Sequence, residues 1–173
     1  MRSFIAIEIP ENIKKEIVKI QKELPEFRGK KTEFENLHLT LKFLGEIDEE
    51  KIEDIKKRLK KVKINSFEAE IDSIGIFSEK FIRIIWLHIK NCDELQKEID
   101  EKLEGLFEKE KRFMGHLTIA RVKSVRDKRE FLEKINKIKI PNMKFKVEKF
   151  NLKKSILTEE KPIYEDIEIY SLS

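Results

Sequence analysis

The sequence predicts an α+β fold that arose by internal duplication, with two similar lobes facing each other. Three observations predict it. The order helix, strand, helix, strand, strand occurs twice, corresponding segments lie about 78 residues apart, and apolar residues recur at helix and strand spacings. Two copies are too few for a solenoid. We therefore expect a single two-lobed domain over residues 1–173, with repeats at approximately 10–90 and 92–173.

The first repeat follows an opening strand. Alternation predicts this strand over Phe4–Ile9, and Pro10 suits the first turn of the next helix. Apolar residues at steps of three and four continue that helix, and the same spacing after Asp48, a good N-cap, predicts a second one. The other predicted strands cover Leu37–Leu44, Phe67–Phe77 and Phe81–Ile89, the last two as a hairpin.

The second repeat restarts the same pattern. Asp93 is a candidate N-cap for a helix, and Asp127 precedes another helix that ends before Pro141. The predicted strands of this repeat cover Gly115–Val122, Phe145–Leu157 and Ile163–Leu172.

Composition excludes several classes of protein. The 173 residues suit one domain, and 38 Lys+Arg against 34 Asp+Glu leave a net charge of +4. That charge is too small for a DNA-wrapping protein but suits an anionic ligand. With Cys92 alone, neither a disulfide within the chain nor a cysteine-built zinc site is expected. No apolar run approaches the ~18 residues of a membrane span, so we expect a soluble cytoplasmic protein.

Two of the three histidines begin the same motif. His38 opens the string HLTL and His116 opens HLTI, so a threonine follows each histidine by two residues. Both motifs fall on the strand that occupies the same position in each repeat. Chance is a poor account of this agreement, because the chain has only four threonines.

Strand geometry gives the spacing a meaning. Residues i and i+2 point to the same face, so His38 shares a face with Thr40, and His116 with Thr118. If the lobes face each other across a pseudo-twofold axis, two imidazoles and two hydroxyls line one cleft. A neutral imidazole can take a proton, a protonated one can give a proton to a leaving oxygen, and each hydroxyl can donate to phosphate. The predicted target is a phosphodiester, with no metal and no cofactor required.

Neighbouring residues leave alternatives open. By parity, Lys42 shares the His38 face, where it either attracts anions or is a rim lysine, and Phe43 belongs to the core rather than stacking on a base. Trp86 is assigned to packing rather than to a base platform, and His88 to a structural or solvated position. Arg121 reaches a bound phosphate only if a bulge or strand end turns it to the His116 face; the alternative is a surface charge.

The strings around the motifs resemble a known family. ENLHLTLKFLG at 35–45 and GHLTIAR at 115–121, with RSFIAI at 2–7 and RIIW at 83–86, are similar to the RNA 2′,3′-cyclic phosphodiesterase (ThpR/LigT) family of the two-histidine (2H) phosphoesterase superfamily. The resemblance covers essentially the whole chain. The paired motifs are its specific part, and the flanking matches only support it.

The resemblance implies a fold, an activity and residue roles. It implies two lobes, each an antiparallel sheet with helices on its outer face, and a cleft between them. It implies metal-independent opening of RNA 2′,3′-cyclic phosphate ends to a 2′-phosphate. His38 would be the proton donor and His116 the proton acceptor, while Thr40, Thr118 and Arg121 would hold the substrate.

Partners and rival functions follow from the same resemblance. The expected partners are RNA with 2′,3′-cyclic phosphate ends, including tRNA halves, or cyclic nucleotides; no membrane contact and a monomer are expected. One alternative is a non-catalytic module that binds RNA ends or nucleotides. The other is a phosphodiesterase or ligase that acts on another 2′,5′-linked or cyclic nucleotide.

Overall fold

Nine β-strands and four α-helices follow one another in the computed structural model, which describes residues 1–173. The strands are β1 (Arg2–Glu8), β2 (Arg28–Lys31), β3 (His38–Glu46), β4 (Phe67–Ile76), β5 (Ile84–Lys90), β6 (His116–Ser124), β7 (Met143–Val147), β8 (Lys149–Leu157) and β9 (Pro162–Ser171). The helices are α1 (Glu11–Glu23), α2 (Glu49–Leu59), α3 (Asp93–Lys102) and α4 (Lys128–Lys137). A 3-10 turn over Phe34–Asn36 leads into β3.

The strands form two antiparallel sheets, which we call sheet A and sheet B. Sheet A has the order β3-β1-β8-β9, and sheet B the order β2-β6-β5-β4-β7. Each sheet takes strands from both halves of the chain, because β4 and β5 join β6 in sheet B while β8 and β9 join β1 in sheet A. The two-lobed α+β fold is confirmed. The repeat boundaries at 10–90 and 92–173 stay a prediction.

The helices are also distributed without regard to the two halves of the chain. α1 packs against β6 and α4 against β4, both in sheet B, while α2 packs against α3. Lys42 of β3 forms an ion pair with Asp100 of α3, which ties this second helix pair to sheet A. Sheet B is therefore supported by α1 and α4, and sheet A by the pair of α2 and α3.

One of the two predicted N-caps is confirmed, and Asp127, which was predicted only to precede a helix, is a further N-cap. The Asp48 side chain accepts a hydrogen bond from the amide of Lys51 at 2.8 Å, and Asp127 caps α4 in the same way. The Asp93 prediction is wrong: Asp93 is the first helical residue, and Cys92 stands at the cap without a side-chain hydrogen bond. Asn91, two residues before the helix, has a φ of 75°, in the left-handed region that asparagine tolerates.

Two strand predictions need correction, and one further strand was not predicted. The strand predicted over Phe145–Leu157 is two strands, because the chain leaves sheet B after β7 and enters sheet A at β8. The strand predicted from Phe81 begins at Ile84. β2 was missed because its residues, RGKK, are all exposed and carry no apolar alternation.

The apolar faces of both sheets and of the helices join in one core cluster of 37 buried residues. Cys92 lies in it as a free thiol, and burial raises the pKa of this thiol to about 12. None of the helices has both the length and the apolar character needed to cross a membrane.

Candidate active site

The two HLT strands have the same pattern of buried and exposed residues. Along β3 and along β6, the histidine and threonine are half-buried and the residue after each is buried. Leu39 and Leu117 are fully buried on the core side. His38, Thr40, His116 and Thr118 all line one cleft of about 580 Å³, as the alternation predicts.

A β-bulge follows the threonine on each strand. The register shifts between Ile5 and Ala6 opposite β3, and between Ile85 and Trp86 opposite β6. Two consecutive residues then face the core on each strand, which reverses the parity beyond them. A strict alternation cannot anticipate this reversal.

The bulge overturns two predictions and supports a third. Lys42 does not share the His38 face; it is 3% exposed. Phe43 is not a core residue; its side chain lines the cleft, and the residue is 70% exposed. Arg121 occupies the position on β6 that matches Phe43 on β3, and the bulge turns it into the cleft.

Buried polar contacts hold the bulge of β3. The Lys42 ammonium lies 2.6 Å from the Asp100 carboxylate and donates to the carbonyl of Glu108 at 2.7 Å. Asp100 in turn accepts hydrogen bonds from the Gln96 side chain at 2.9 Å and from the amide of Glu110 at 2.8 Å. The ion pair is thus fully hydrogen-bonded, which a buried pair requires.

A buried amide holds the bulge of β6. The side chain of Gln21, on α1, donates to the carbonyl of Ile119 at 2.9 Å and to that of Thr32 at 3.0 Å. The Thr32 hydroxyl donates to the carbonyl of Thr118 at 3.0 Å. Both bulges are therefore fixed by a polar side chain from a helix, although by different chemistry.

The His38 imidazole is oriented by residues close to it in the chain. Its Nδ1–H donates to the carbonyl of Asn36 at 2.8 Å, and its Nε2 lies 3.0 Å from the Thr40 hydroxyl. The rings of Phe4 and Tyr164 both lie 5.1 Å from the imidazole, centroid to centroid. Nε2 is therefore the nitrogen left for proton transfer.

Surroundings keep His38 neutral in the free protein. Burial lowers the pKa of His38 from 6.5 to about 4, while the Asn36 carbonyl and the Glu8 carboxylate raise it. Lys153 and Lys14 add to the lowering. A phosphate anion in the cleft would favour the protonated form.

The His116 imidazole repeats this orientation in the other lobe. Its Nδ1–H donates to the carbonyl of Met114 at 2.9 Å, two residues before it, as in His38. The Phe77 ring packs edge-on against it at 5.0 Å. Each lobe thus presents one imidazole with its Nδ1 occupied and its Nε2 available.

The cleft is also lined by cationic side chains and by an apolar wall. Arg2, Lys31 and Arg121 have no carboxylate within ion-pair distance, whereas Lys30 is paired with Glu33 at 2.9 Å. The apolar wall consists of Phe4, Phe43, Leu157 and the half-buried Tyr164.

Sequence reasoning missed several of these residues. Lys31 lies on the unpredicted strand β2, beside β6, and Tyr164 is the third residue of β9, far along the chain from both motifs. No local motif marks either residue. Trp86 packs against Gly75 and Phe77, in agreement with its predicted packing role, and does not line this cleft.

Fold and cleft together define a class: an internally duplicated α+β protein of the two-histidine phosphoesterase type. The family model described as LigT like Phosphoesterase matches residues 7–86 and 88–164. An RNA 2′,3′-cyclic phosphodiesterase of Methanocaldococcus jannaschii is 44% identical over 172 residues, 96% of this chain and 98% of the relative. One from Archaeoglobus fulgidus is 37% identical, covering 98% of this chain and 99% of the relative. The chain belongs to the LigT like phosphoesterase family.

Solved structures agree with the fold. A crystal structure from Thermus thermophilus matches with a TM-score of 0.80 and 28% identity, over 99% of this chain and 97% of that one. Escherichia coli LigT complexed with 3′-AMP matches with a TM-score of 0.81 and 24% identity, over 99% and 98%. At that identity, the second match shows the fold alone.

Proposed function

We propose that this protein hydrolyses RNA 2′,3′-cyclic phosphate ends to 2′-phosphates by a metal-independent two-histidine mechanism. One observation carries the proposal: the HLT strands place two imidazoles and two hydroxyls in one cleft with the same local geometry. The names of the relatives in Methanocaldococcus jannaschii and Archaeoglobus fulgidus support the substrate class.

Hydrolysis of the cyclic ester needs two proton transfers. One imidazole takes a proton from water as the water oxygen attacks phosphorus, and the other gives a proton to the ribose oxygen as its bond to phosphorus breaks. We assign the acceptor role to His116 and the donor role to His38, with the 3′ oxygen as leaving group. His38 must then gain a proton when the anionic phosphate binds, since burial lowers its pKa to about 4 in the free protein.

Hydroxyls and cations would stabilise the phosphate. Thr40 and Thr118 share the faces of the two histidines, so each hydroxyl is suited to donate to a non-bridging oxygen. Arg121 lines the same cleft, and its charge acts on Tyr164, whose ring lies 5.1 Å from the His38 imidazole, centroid to centroid. We assign Arg121 to binding of the substrate phosphate. We also propose that the protein acts as a cytoplasmic monomer.

A short RNA ending in a 2′,3′-cyclic phosphate tests the proposal. Mass spectrometry should show the gain of one water, and phosphatase treatment with a 2′-phosphate standard should identify the position of the product phosphate. The reaction should continue in excess EDTA. Binding without turnover would support the non-catalytic module instead, a 3′-phosphate would reverse the two histidine roles, and activity restored only by an added divalent ion would contradict the metal-free mechanism.

A further inference from the structure

The two HLT strands are alike, but the residues beside their histidines are not. Glu8 on β1 is the register partner of His38, and His88 on β5 is the register partner of His116. Residues directly opposite on antiparallel strands point to the same face with Cβ atoms about 4.5–5.5 Å apart. A carboxylate therefore lies beside one histidine and an imidazole beside the other.

The charges around His38 are balanced, with two carboxylates and two ammonium groups, but a carboxylate is the register neighbour of the imidazole. Glu8 is ion-paired with Lys153, which also lies 2.8 Å from Asp166, so two carboxylates share one ammonium. Lys153 is 7% exposed, which holds the group in place. Lys14 on α1 is the other cation that acts on this histidine. The ring of Tyr164, on β9, packs against the His38 imidazole.

The charges beside His116 are balanced or cationic. His88 donates from Nδ1–H to the Asp72 carboxylate at 2.7 Å, and the Lys90 ammonium lies 3.5 Å from the other oxygen of the same carboxylate. Asp72 and Lys90 cancel, and His88 adds either no charge or a positive one. On the remaining side, the apolar ring of Phe77 packs against His116.

We propose that Glu8 and His88 are positioning residues that assign the two proton-transfer roles, which the symmetric motifs leave undecided. The Glu8 carboxylate stabilises a proton on His38, which makes this histidine the donor. His88 occupies the matching position with a group that is never anionic, so His116 stays the neutral acceptor. The inference rests on the proposed function. The contribution of Glu8 to the pKa of His38 is in the required direction, since it opposes the lowering by burial.

Titration of the two histidines by NMR tests the inference without substrate. An opposite charge this close shifts a pKa by about one unit or more. Glu8→Gln should therefore lower the pKa of His38 and leave His116 unchanged, and Glu8→Asp should restore it. His88→Glu should raise the pKa of His116 relative to His88→Gln. Glu11→Gln, which removes an exposed carboxylate nearby, is the charge control.

Kinetics with the cyclic-phosphate RNA supply the second measurement. Glu8→Gln should move the alkaline limb of the pH–rate profile to lower pH and reduce turnover about tenfold per pKa unit at neutral pH. His88→Glu should move the acid limb to higher pH, because a protonated His116 cannot accept. A purely structural role would lower thermal stability without moving either limb.

Specific results overturn the inference. Unchanged titrations in Glu8→Gln and His88→Glu would do so, as would a shift of His116 in the first variant and of His38 in the second. Titrations that move as expected in a protein without turnover would contradict the proposed function instead, since the NMR measurement needs no substrate.

Discussion

At the scale of single residues, the cleft is organised around the Nε2 atoms of His38 and His116. Both Nδ1 atoms donate to a backbone carbonyl two residues earlier, at 2.8 Å and 2.9 Å. This contact fixes the neutral tautomer with its proton on Nδ1. In the proposed mechanism, this shared local geometry leaves Nε2 of one imidazole to accept a proton and Nε2 of the other to donate one.

Removal of either imidazole should nearly abolish turnover. We expect His38→Ala and His116→Ala each to reduce turnover about a hundredfold or more, as loss of a general acid or base usually does. The double variant should be little worse than either single one, because the two residues act as a unit. Turnover of the cyclic-phosphate RNA measures this, with circular dichroism as the folding control; near-normal turnover in either single variant would contradict both roles.

The threonine hydroxyls should contribute less than the imidazoles. Thr40→Val and Thr118→Val keep the shape of the side chain and remove one donor each. A hydrogen bond to charge in the transition state is worth on the order of 2–4 kcal/mol, so turnover should fall by tens to hundreds. Thr158→Val, in the exposed turn between β8 and β9, is the matched control and should leave turnover unchanged.

At the scale of elements, the bulges in β3 and β6 decide which side chains enter the cleft. Each bulge sends Phe43 or Arg121 toward the substrate side and buries the preceding residue. The Lys42–Asp100 pair holds one bulge and the Gln21 amide the other. Helices α3 and α1 therefore contribute to the cleft without lining it.

Loss of one partner of the buried ion pair should be costly. Lys42→Met leaves Asp100 as an uncompensated buried charge, for which about 3–5 kcal/mol of the free energy of unfolding is expected to be lost. The double variant Lys42→Met with Asp100→Leu removes both charges and should recover much of that loss. Denaturant unfolding measures both; equal stabilities of the single and double variants would contradict a stabilising pair.

Along β3, the sequence predicted the faces of the side chains up to the bulge and failed beyond it. Alternation placed His38 and Thr40 on one face because the strand is regular there. Lys42 and Phe43 were assigned to the wrong faces, since nothing in the local residue types marks an extra residue in the ladder. Lys31 was missed for another reason: pairing of an exposed edge strand with β6 depends on long-range contacts alone.

At the scale of the whole molecule, the exchange of strands and helices between the halves joins the two lobes. Sheet A and sheet B each contain strands from both halves, so neither lobe is a contiguous half of the chain. The duplication was readable from the repeated motif, but the exchange was not, because pairing partners more than 60 residues apart, such as Phe4 and Lys153, leave no local signal. The cleft therefore depends on the whole chain being folded.

Burial of His38 couples this cleft to global stability. Burial lowers the pKa of His38 in the folded protein to about 4, whereas the unfolded chain has the ordinary value of 6.5. Between these values the unfolded state binds more protons, so the stabilising contribution of neutral His38 is present above pH 6.5 and is lost as pH falls toward 4. Integrated over this window, the loss is about 3 kcal/mol.

Comparison with His38→Gln isolates this contribution, because the other titrating groups are common to both proteins. Denaturant unfolding at pH 7, 5.5 and 4 should show wild type losing about 3 kcal/mol more than the variant, with most of the difference appearing below pH 6.5. The direction of the difference tests its cause. If the folded protein stabilised the charged form of His38, the free energy of unfolding of the wild type would rise relative to that of the variant as pH falls. Parallel loss in both proteins would mean that the folded cleft leaves the His38 proton equilibrium as it is in the unfolded chain.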